Sequence, residues 1–238
     1  VGVSVVDHHG AALFAMGILA ALLRRERSGK GCRVDASLMQ AALDLQAESL
    51  TAWLNAAKRP ASVSAHPHIA GWYYPAPYGI YATRDGHIAI SLCPLPRLAE
   101  AIEEARLAAF SDKDAWTRQD EIGEIIAARL KTKTTEEWSR AMERAQIWHA
   151  RVQGYDDLVE DPQIKHMGAL VTMPGAGESG TPVTLVNHPV RYDGEAAEIR
   201  LAPQRLGAQS KEVLAELGFA GAEIAALARE GVVCLPEP

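Results

Sequence analysis

The chain has 238 residues, enough for one or two domains that each bury their own hydrophobic core. Its 48% hydrophobic and 23% charged content is ordinary for a globular protein, and its net charge of −6 argues against nucleic acid or a membrane surface as a partner. The three cysteines are odd in number and far apart, which favours a cytoplasmic location over a disulfide framework.

The stretch from Gly10 to Leu38 is the most informative part of the chain. Residues 11–23 are all apolar or glycine, which predicts a helix buried on several sides. Asp7 is the expected N-cap, and residues 28–31, SGKG, are the expected stop. Residues 32–38 alternate between apolar and polar, which predicts a strand. A buried helix, a glycine turn and a strand are typical of half a βαβ unit and indicate an α/β domain.

The beginning of the chain raises a question of completeness. Residues 1–6, VGVSVV, predict another strand with no neighbour before it. Because a parallel layer needs neighbouring strands, we expect an N-terminal part of the protein to be missing or to lie on another chain. The thirteen-residue apolar run of residues 11–23 is shorter than the roughly 20 residues that cross a bilayer.

The middle of the chain predicts a mixed domain. Ser37-x-x-Gln40 matches a capping box and predicts a helix to about residue 57. Residues 58–77 hold four prolines and no periodic pattern, which is typical of a linker or functional loop at a domain boundary. Residues 78–93 predict a β-hairpin that turns at 83–86. The remaining predicted elements are helices at 96–109, 116–130, 134–145 and 155–160, strands at 169–173 and 183–186, an extended segment at 190–201, and helices at 210–217 and 222–229.

Four motifs resemble, in order, the class III (CaiB/BaiF-type) CoA-transferase and α-methylacyl-CoA racemase family. Asp7 followed by GAALFAMGILAALLRRERSGKGCRVDASLMQAAL resembles its small-residue helix, R-x-R-[ST]-G-x-G turn and V-D-x-S strand. PYGIYATRDGHIAIS resembles its hairpin, ARVQGYDDLVEDPQIKHMGALVTM the segment after its third helix, and RLGAQSKEVLAELGFAGAEIAALAREGVV its C-terminal tail. Cys32 departs from the usual Gln, and Gln209 from the usual His.

The resemblance implies a fold of the α/β class, in which two subunits are threaded through each other as linked rings. Residues 1–60 would be the C-terminal part of a Rossmann-like large domain. Residues 61–190 would form a smaller α/β domain, and residues 191–238 would return to pack on the large one.

The resemblance also implies a chemistry. In the family's transferases an Asp carboxylate attacks a thioester carbonyl, forms a mixed anhydride and releases CoA thiolate. An acceptor carboxylate then takes over, and the thiolate returns to the new acyl group. The racemases use a His and Asp pair at the acidic α-carbon. Neither reaction needs a metal or a permanently bound cofactor, since acyl-CoA and a carboxylic acid are the substrates.

The family's nucleophilic Asp, racemase His and most CoA-binding basic residues precede the part of the pattern matched here. The resemblance therefore implies the C-terminal portion of a CoA-transferase, inactive as this chain alone and dependent on the N-terminal half or a companion subunit. The alternatives are a 2-methylacyl-CoA racemase, a non-catalytic subunit of a split enzyme, and a generic α/β ligand-binding domain.

Four polar residues of the N-terminal stretch are candidates with ordinary alternatives. Asp7 lines an active site or only caps the helix. Arg24, Arg25 and Lys30 contact CoA phosphates or lie on a solvated helix end.

Histidine and cysteine give weaker candidates. His8, His9, His66 and His68 have no carboxylate or cysteine at metal-ligand spacing, so no metal site is predicted. Cys93 as a nucleophile has no evident base beside it.

The strongest local candidate is the segment HPHIAGWYYPAPY, residues 66–78. Its aromatic side chains predict either a glycine-hinged lid that excludes water and shapes acyl specificity, or packing at a domain junction. The residues expected to contact substrate are His66, His68, Gly71, Trp72, Tyr73, Tyr74 and Tyr78.

Overall fold

A computed structural model describes residues 2–56, 67–175 and 180–235. The chain forms two compact units, Val1–Val152 and Gln153–Pro238. The domain boundaries expected near residues 60 and 190 stay predictions.

The first helix, α1, spans Val5–Ser28 and is much longer than its apolar run. Because the helix already begins at Val5, the strand predicted over residues 1–6 is not formed. Asp7 lies in the first turn, after the Ser4 cap position, so its predicted role as N-cap is wrong. A carboxylate in the first turn still interacts favourably with the helix dipole. The predicted stop is confirmed, since Gly29 has φ 69° and its N–H donates to the Arg25 carbonyl at 2.8 Å.

The surface of α1 contradicts the prediction that it is buried on several sides. None of its residues is buried, and Leu19 is 65% exposed. Its main packing partner in the described chain is α2, Leu38–Leu45, which approaches closely where Gly10 faces Ala41. The other faces of α1 have no comparable cover from the described residues.

By length and composition alone, α1 also qualifies as a candidate membrane span, in contrast to the shorter apolar run. A core helix of a soluble protein and a signal sequence meet the same criterion.

Residues 32–38 do not form the predicted strand. Ser37 instead caps α2, accepting the Gln40 N–H at 3.2 Å, as the capping motif predicts. The helix expected to reach residue 57 is broken at Gln46, and α3 follows over Ala47–Asn55. As a result, the described residues contain no parallel strand pair and no βαβ crossover.

A three-stranded antiparallel sheet forms the centre of the first unit. The predicted hairpin is confirmed as β1, Gly79–Ala82, and β2, His87–Ile90. A third strand, β3, His149–Arg151, pairs with β2 and was not predicted, because three residues are too few to show a period. Cross-strand pairing places Ile80, Ala89 and Ala150 side by side on one face of the sheet.

Helices cover the opposite face of this sheet. They are α4 (Leu95–Ala101), a 3₁₀ turn (Ala105–Ala109), α5 (Asp112–Thr117), α6 (Gln119–Leu130) and α7 (Thr135–Arg144). The three helices predicted here lie in the right places, but the first two are each divided. The capping box at Thr134 is confirmed, since its hydroxyl accepts the Glu137 N–H and the Glu137 carboxylate accepts the Thr134 N–H. The core contains the sheet residues Tyr81, Ile88 and Ile90, the helix residues Leu98, Ile122, Ile126, Trp138 and Met142, and Ile102 at the end of α4.

The hairpin turn is fastened to the start of α7. The Asp85 carboxylate accepts the Thr135 N–H at 2.8 Å and its hydroxyl at 2.9 Å, which lowers the pKa of Asp85. The Thr83 and Thr135 hydroxyl oxygens lie 2.7 Å apart. These contacts fix the hairpin to the helical layer.

The second unit consists of short elements. They are α8 (Tyr155–Glu160), α9 (Pro162–His166), β4 (Leu170–Met173), β5 (Val183–Val186), β6 (Arg191–Tyr192), β7 (Glu195–Ala196), α10 (Ser210–Glu216) and α11 (Gly221–Arg229). The predictions of α8, of the paired strands β4 and β5, and of the last two helices are confirmed. Helix α9 was missed, and Asp161 caps it by accepting N–H groups of Gln163 and Ile164. The segment predicted to be extended over 190–201 holds only two strands of two residues each.

The buried indole of Trp138 gives a stability test. Its Nε1–H donates to the Leu130 carbonyl at 2.7 Å, and the side chain is 0% exposed. Trp138→Phe leaves that carbonyl without its partner and should lower the free energy of unfolding by about 1–3 kcal/mol in urea titrations. Trp116→Phe is the matched control, because Trp116 is 54% exposed, and it should change the value little. Equal losses in both variants would contradict this packing.

Candidate functional site

Residues 67–70 cross the start of β1. The Ile80 N–H donates to the His68 carbonyl at 2.9 Å, and the Ala70 N–H donates to the Tyr78 carbonyl at 2.9 Å. A Cβ atom at Gly79 would overlap the His68 carbonyl oxygen, so the crossing requires glycine at this position. These bonds pair residues 68–70 with β1 and so extend the sheet by one short segment.

The second half of the segment is held by the helical layer. The Ala76 N–H donates to the Ala115 carbonyl at 2.9 Å, and the Gln119 side-chain amide donates to the Tyr74 carbonyl. The Tyr81 hydroxyl donates to the Pro77 carbonyl at 2.8 Å. Gly71, the predicted hinge, is buried. The segment is therefore anchored at residues 68–70 and 74–77, and its role as a lid stays a prediction.

Four aromatic rings of this segment form a continuous row. Ring centroids are 5.6 Å apart for Trp72 and Tyr73, 4.5 Å for Tyr73 and Tyr74, and 4.8 Å for Tyr74 and Tyr78. The Tyr74 hydroxyl donates to the Glu48 carboxylate of α3 at 2.9 Å, which raises the pKa of Tyr74 to about 12. A phenol held in this way stays protonated at neutral pH, so these contacts favour packing against α3 over acid–base work for Tyr74.

An open groove lies over the outer face of the sheet. Its volume is about 790 Å³, and it is lined by residues 67–70, 78–80, 89–91 and 148–150. Of the predicted substrate contacts, His68 and Tyr78 line it, whereas Gly71, Trp72, Tyr73 and Tyr74 do not. His66 lies outside the described residues. Trp148 was missed because the strand that follows it was not predicted.

Two histidines, His68 and His149, border the groove, but His149 pairs with the core residue Ile90, so its ring belongs to the inner face of the sheet. The His68 ring stacks on Tyr81 with centroids 5.6 Å apart and planes at 21°. Nδ1 of His149 lies 2.9 Å from the Ile147 carbonyl oxygen. Because a carbonyl can only accept, Nδ1 carries the proton, and Nε2 of the neutral ring is an acceptor.

The three predicted CoA contacts lie at the end of α1 and the turn after it. Arg24, Arg25 and Lys30 are exposed, and the Arg25 guanidinium lies 3.0 Å from Glu26. Arg25 also lines a shallow cavity of about 330 Å³ beside Cys32. None of these three residues lines the larger groove. Their contact with CoA phosphates stays a prediction.

The remaining candidates show ordinary structural contacts. Asp7 is exposed, and Nε2 of His9 lies 2.7 Å from the Asp44 carboxylate, which ties α1 to α2. In the described ranges no three potential metal ligands come together. Burial raises the pKa of Cys93 to about 11, which disfavours a nucleophilic thiolate.

The chain matches the family model described as CoA-transferase family III over residues 1–210, and it belongs to that family. The predicted family resemblance is thus confirmed.

Known relatives agree with this assignment. An acyl-CoA transferase from Fusarium pseudograminearum is 24% identical over 242 residues, covering 98% of this chain and 51% of that protein. A succinyl-CoA:glutarate CoA-transferase from Mus musculus is 27% identical over 231 residues, covering 91% and 50%. The crystal structure of a CAIB/BAIF family protein from Brucella suis superposes with a TM-score of 0.66 at 21% identity, covering 91% of this chain and 56% of that one. This likeness confirms the α/β fold class, and the chain spans about half the length of these relatives.

The bond between Tyr74 and Glu48 predicts an unusual tyrosine titration. In Glu48→Ala the pKa of Tyr74 should fall from about 12 towards its ordinary 10.0, because the phenol loses its carboxylate acceptor. Tyrosinate absorbance, taken as a difference from Tyr74→Phe in each background, isolates this residue. Glu216→Ala, in a helix of the second unit, is the control and should leave the titration unchanged. A Tyr74 that already titrates near 10 in the unaltered protein would contradict the contact.

The burial of Cys93 predicts slow alkylation. Cys32 and Cys234 are exposed, whereas Cys93 is partly buried and its raised pKa leaves little thiolate at neutral pH. With iodoacetamide under native conditions, peptide mass spectrometry should find the first two modified before Cys93. Preferential labelling of Cys93 would show an activated thiol instead.

Proposed function

We propose that this chain is the C-terminal portion of an acyl-CoA:carboxylate CoA-transferase that acts through an aspartyl-acyl anhydride. The observation that carries the proposal is the family match over residues 1–210. Names of relatives add support, since the mouse relative is called a succinyl-CoA:glutarate CoA-transferase and the Fusarium relative an acyl-CoA transferase.

In the proposed reaction the nucleophilic Asp lies outside this chain. Its carboxylate oxygen forms a bond to the thioester carbonyl carbon while the C–S bond breaks and CoA thiolate leaves. An acceptor carboxylate then attacks the enzyme-bound anhydride and frees the Asp, and the thiolate attacks the new mixed anhydride to give the product thioester and release the first acid. The anhydride must be kept from water, and in this proposal the aromatic side chains of residues 67–78 would shield it.

The described residues have defined parts in this proposal. His68 and Tyr78 contact the acyl group, and the CoA phosphates are bound by Arg24, Arg25 and Lys30. Residues 1–60 belong to a Rossmann-like large domain, residues 61–190 form the small domain, and residues 191–238 return to the large one. The functional protein is a cytoplasmic interlocked dimer, and this chain alone is inactive without the N-terminal half or a companion subunit.

Two alternatives follow from the same family assignment. A 2-methylacyl-CoA racemase would exchange the α-proton of its substrate without any acceptor acid. A non-catalytic subunit of a split enzyme would bind its companion and lack a nucleophile of its own.

Hydroxylamine trapping tests the proposal on the native protein that carries these residues, with any companion chain. Incubation with acyl-CoA and hydroxylamine should convert one Asp into its hydroxamate, which peptide mass spectrometry locates outside residues 1–238. The same incubation of residues 1–238 alone is the control and should give no hydroxamate. Exchange of the α-proton of 2-methylacyl-CoA into deuterated water without acceptor, and without a trapped Asp, would establish the racemase instead.

A further inference from the structure

The outer face of the β-sheet carries unusually small side chains. Ala89 on the central strand β2 is flanked by Ala150 on β3 and by Ile80 on β1. Because cross-strand neighbours share a face, these three side chains form one row. Ala89 and Ala150 each contribute only a methyl group. A sheet face that is covered by other elements carries larger side chains, so the small ones here leave a trough over the backbone.

The trough is bordered on both sides by other parts of the chain. Residues 67–70 form one wall, fixed to β1 by the backbone hydrogen bonds of His68 and Ala70. Trp148 stands on the other side, and its carbonyl accepts the Ser91 N–H at 2.9 Å, which fixes the chain there. Its indole is 82% exposed, and Ile80 is 51% exposed, so the groove is apolar and open to a ligand. Its volume of about 790 Å³ lies in the usual range for small-molecule sites.

The described lining of the groove also lacks a permanently positive side chain. None of the described residues that line it is Lys or Arg. Arg151 follows Ala150 in β3 but pairs with Ile88, whose side chain is in the core, so it belongs to the other face. A terminal carboxylate placed in this groove would lose hydration without a fixed positive charge in compensation.

We propose that this groove binds an apolar acyl chain of the thioester substrate and selects against acyl groups that end in a second carboxylate. The inference rests on the proposed function, since it assigns a substrate class to the same site. Ile80, Ala89, Ala150 and Trp148 are the specificity-determining residues. Methylene groups buried against them provide the affinity.

The test compares the dissociation constants of hexanoyl-CoA and succinyl-CoA, measured by calorimetry on the native protein with any companion chain. Since both ligands share the CoA moiety, the ratio of the two constants reports on the acyl group. Hexanoyl-CoA should bind roughly tenfold more tightly or better, as expected from the burial of two or more methylene groups.

Two variants locate the preference in the groove. Ala150→Phe fills the trough and should bring the ratio close to one, whereas Ala108→Phe, at an exposed position of the helical layer on the other side of the sheet, should leave it unchanged. Ile80→Lys, at a half-exposed position that tolerates a long side chain, should shift the preference towards succinyl-CoA by supplying a cation.

Each other outcome has a distinct meaning. If neither thioester binds, the proposed function fails. If both bind with equal or reversed preference, or if Ala150→Phe and Ile80→Lys leave the ratio unchanged, the groove proposal is overturned while the function stands. A change of oligomeric mass in Ala150→Phe with an unchanged ratio would assign the groove to a protein interface instead.

Discussion

The crossing of residues 68–70 over β1 is the constraint on which the rest of the first unit depends. It brings the His68 carbonyl against Gly79, where any side chain would collide with it. The crossing places one wall of the groove and directs the following aromatic segment towards α3. The sheet edge, the groove and the Tyr74–Glu48 contact thus all depend on one position without a Cβ atom.

The two faces of the small sheet differ in packing. The inner face packs Tyr81, Ile88 and Ile90 into the helical layer, so these positions are set by close packing. The outer face carries Ala89 and Ala150, which contribute little to that core. A sheet stabilised from one side is free to present the other side to a ligand.

In helix α1 the apolar composition and the observed exposure disagree. Its composition is that of a core helix, yet no residue on it is buried. Apolar surface on this scale is unfavourable in water. In the proposed transferase, the remainder of the large domain would cover it, and this would restore the burial that the sequence pattern predicts.

Local signals in the chain were strong enough to predict several elements. The capping motifs at Ser37 and Thr134, the stop at Gly29 and the hairpin around 83–86 each depend on a few neighbouring residues, so they formed as expected. The family was also readable, because four motifs stand in order along one chain. Boundaries were weaker, as Gln46 divides a helix that the periodic pattern made continuous.

The sequence by itself therefore determined the fold class, the family and the elements that cap and turn locally. Only the tertiary structure decided which candidates meet. It joined His68 and Tyr78 to Trp148 and His149, which lie 70 to 81 residues away along the chain, and it turned Tyr74 towards Glu48. The physical reason is that a groove between strands depends on non-local pairing, whereas caps and turns are decided by bonds within a few residues.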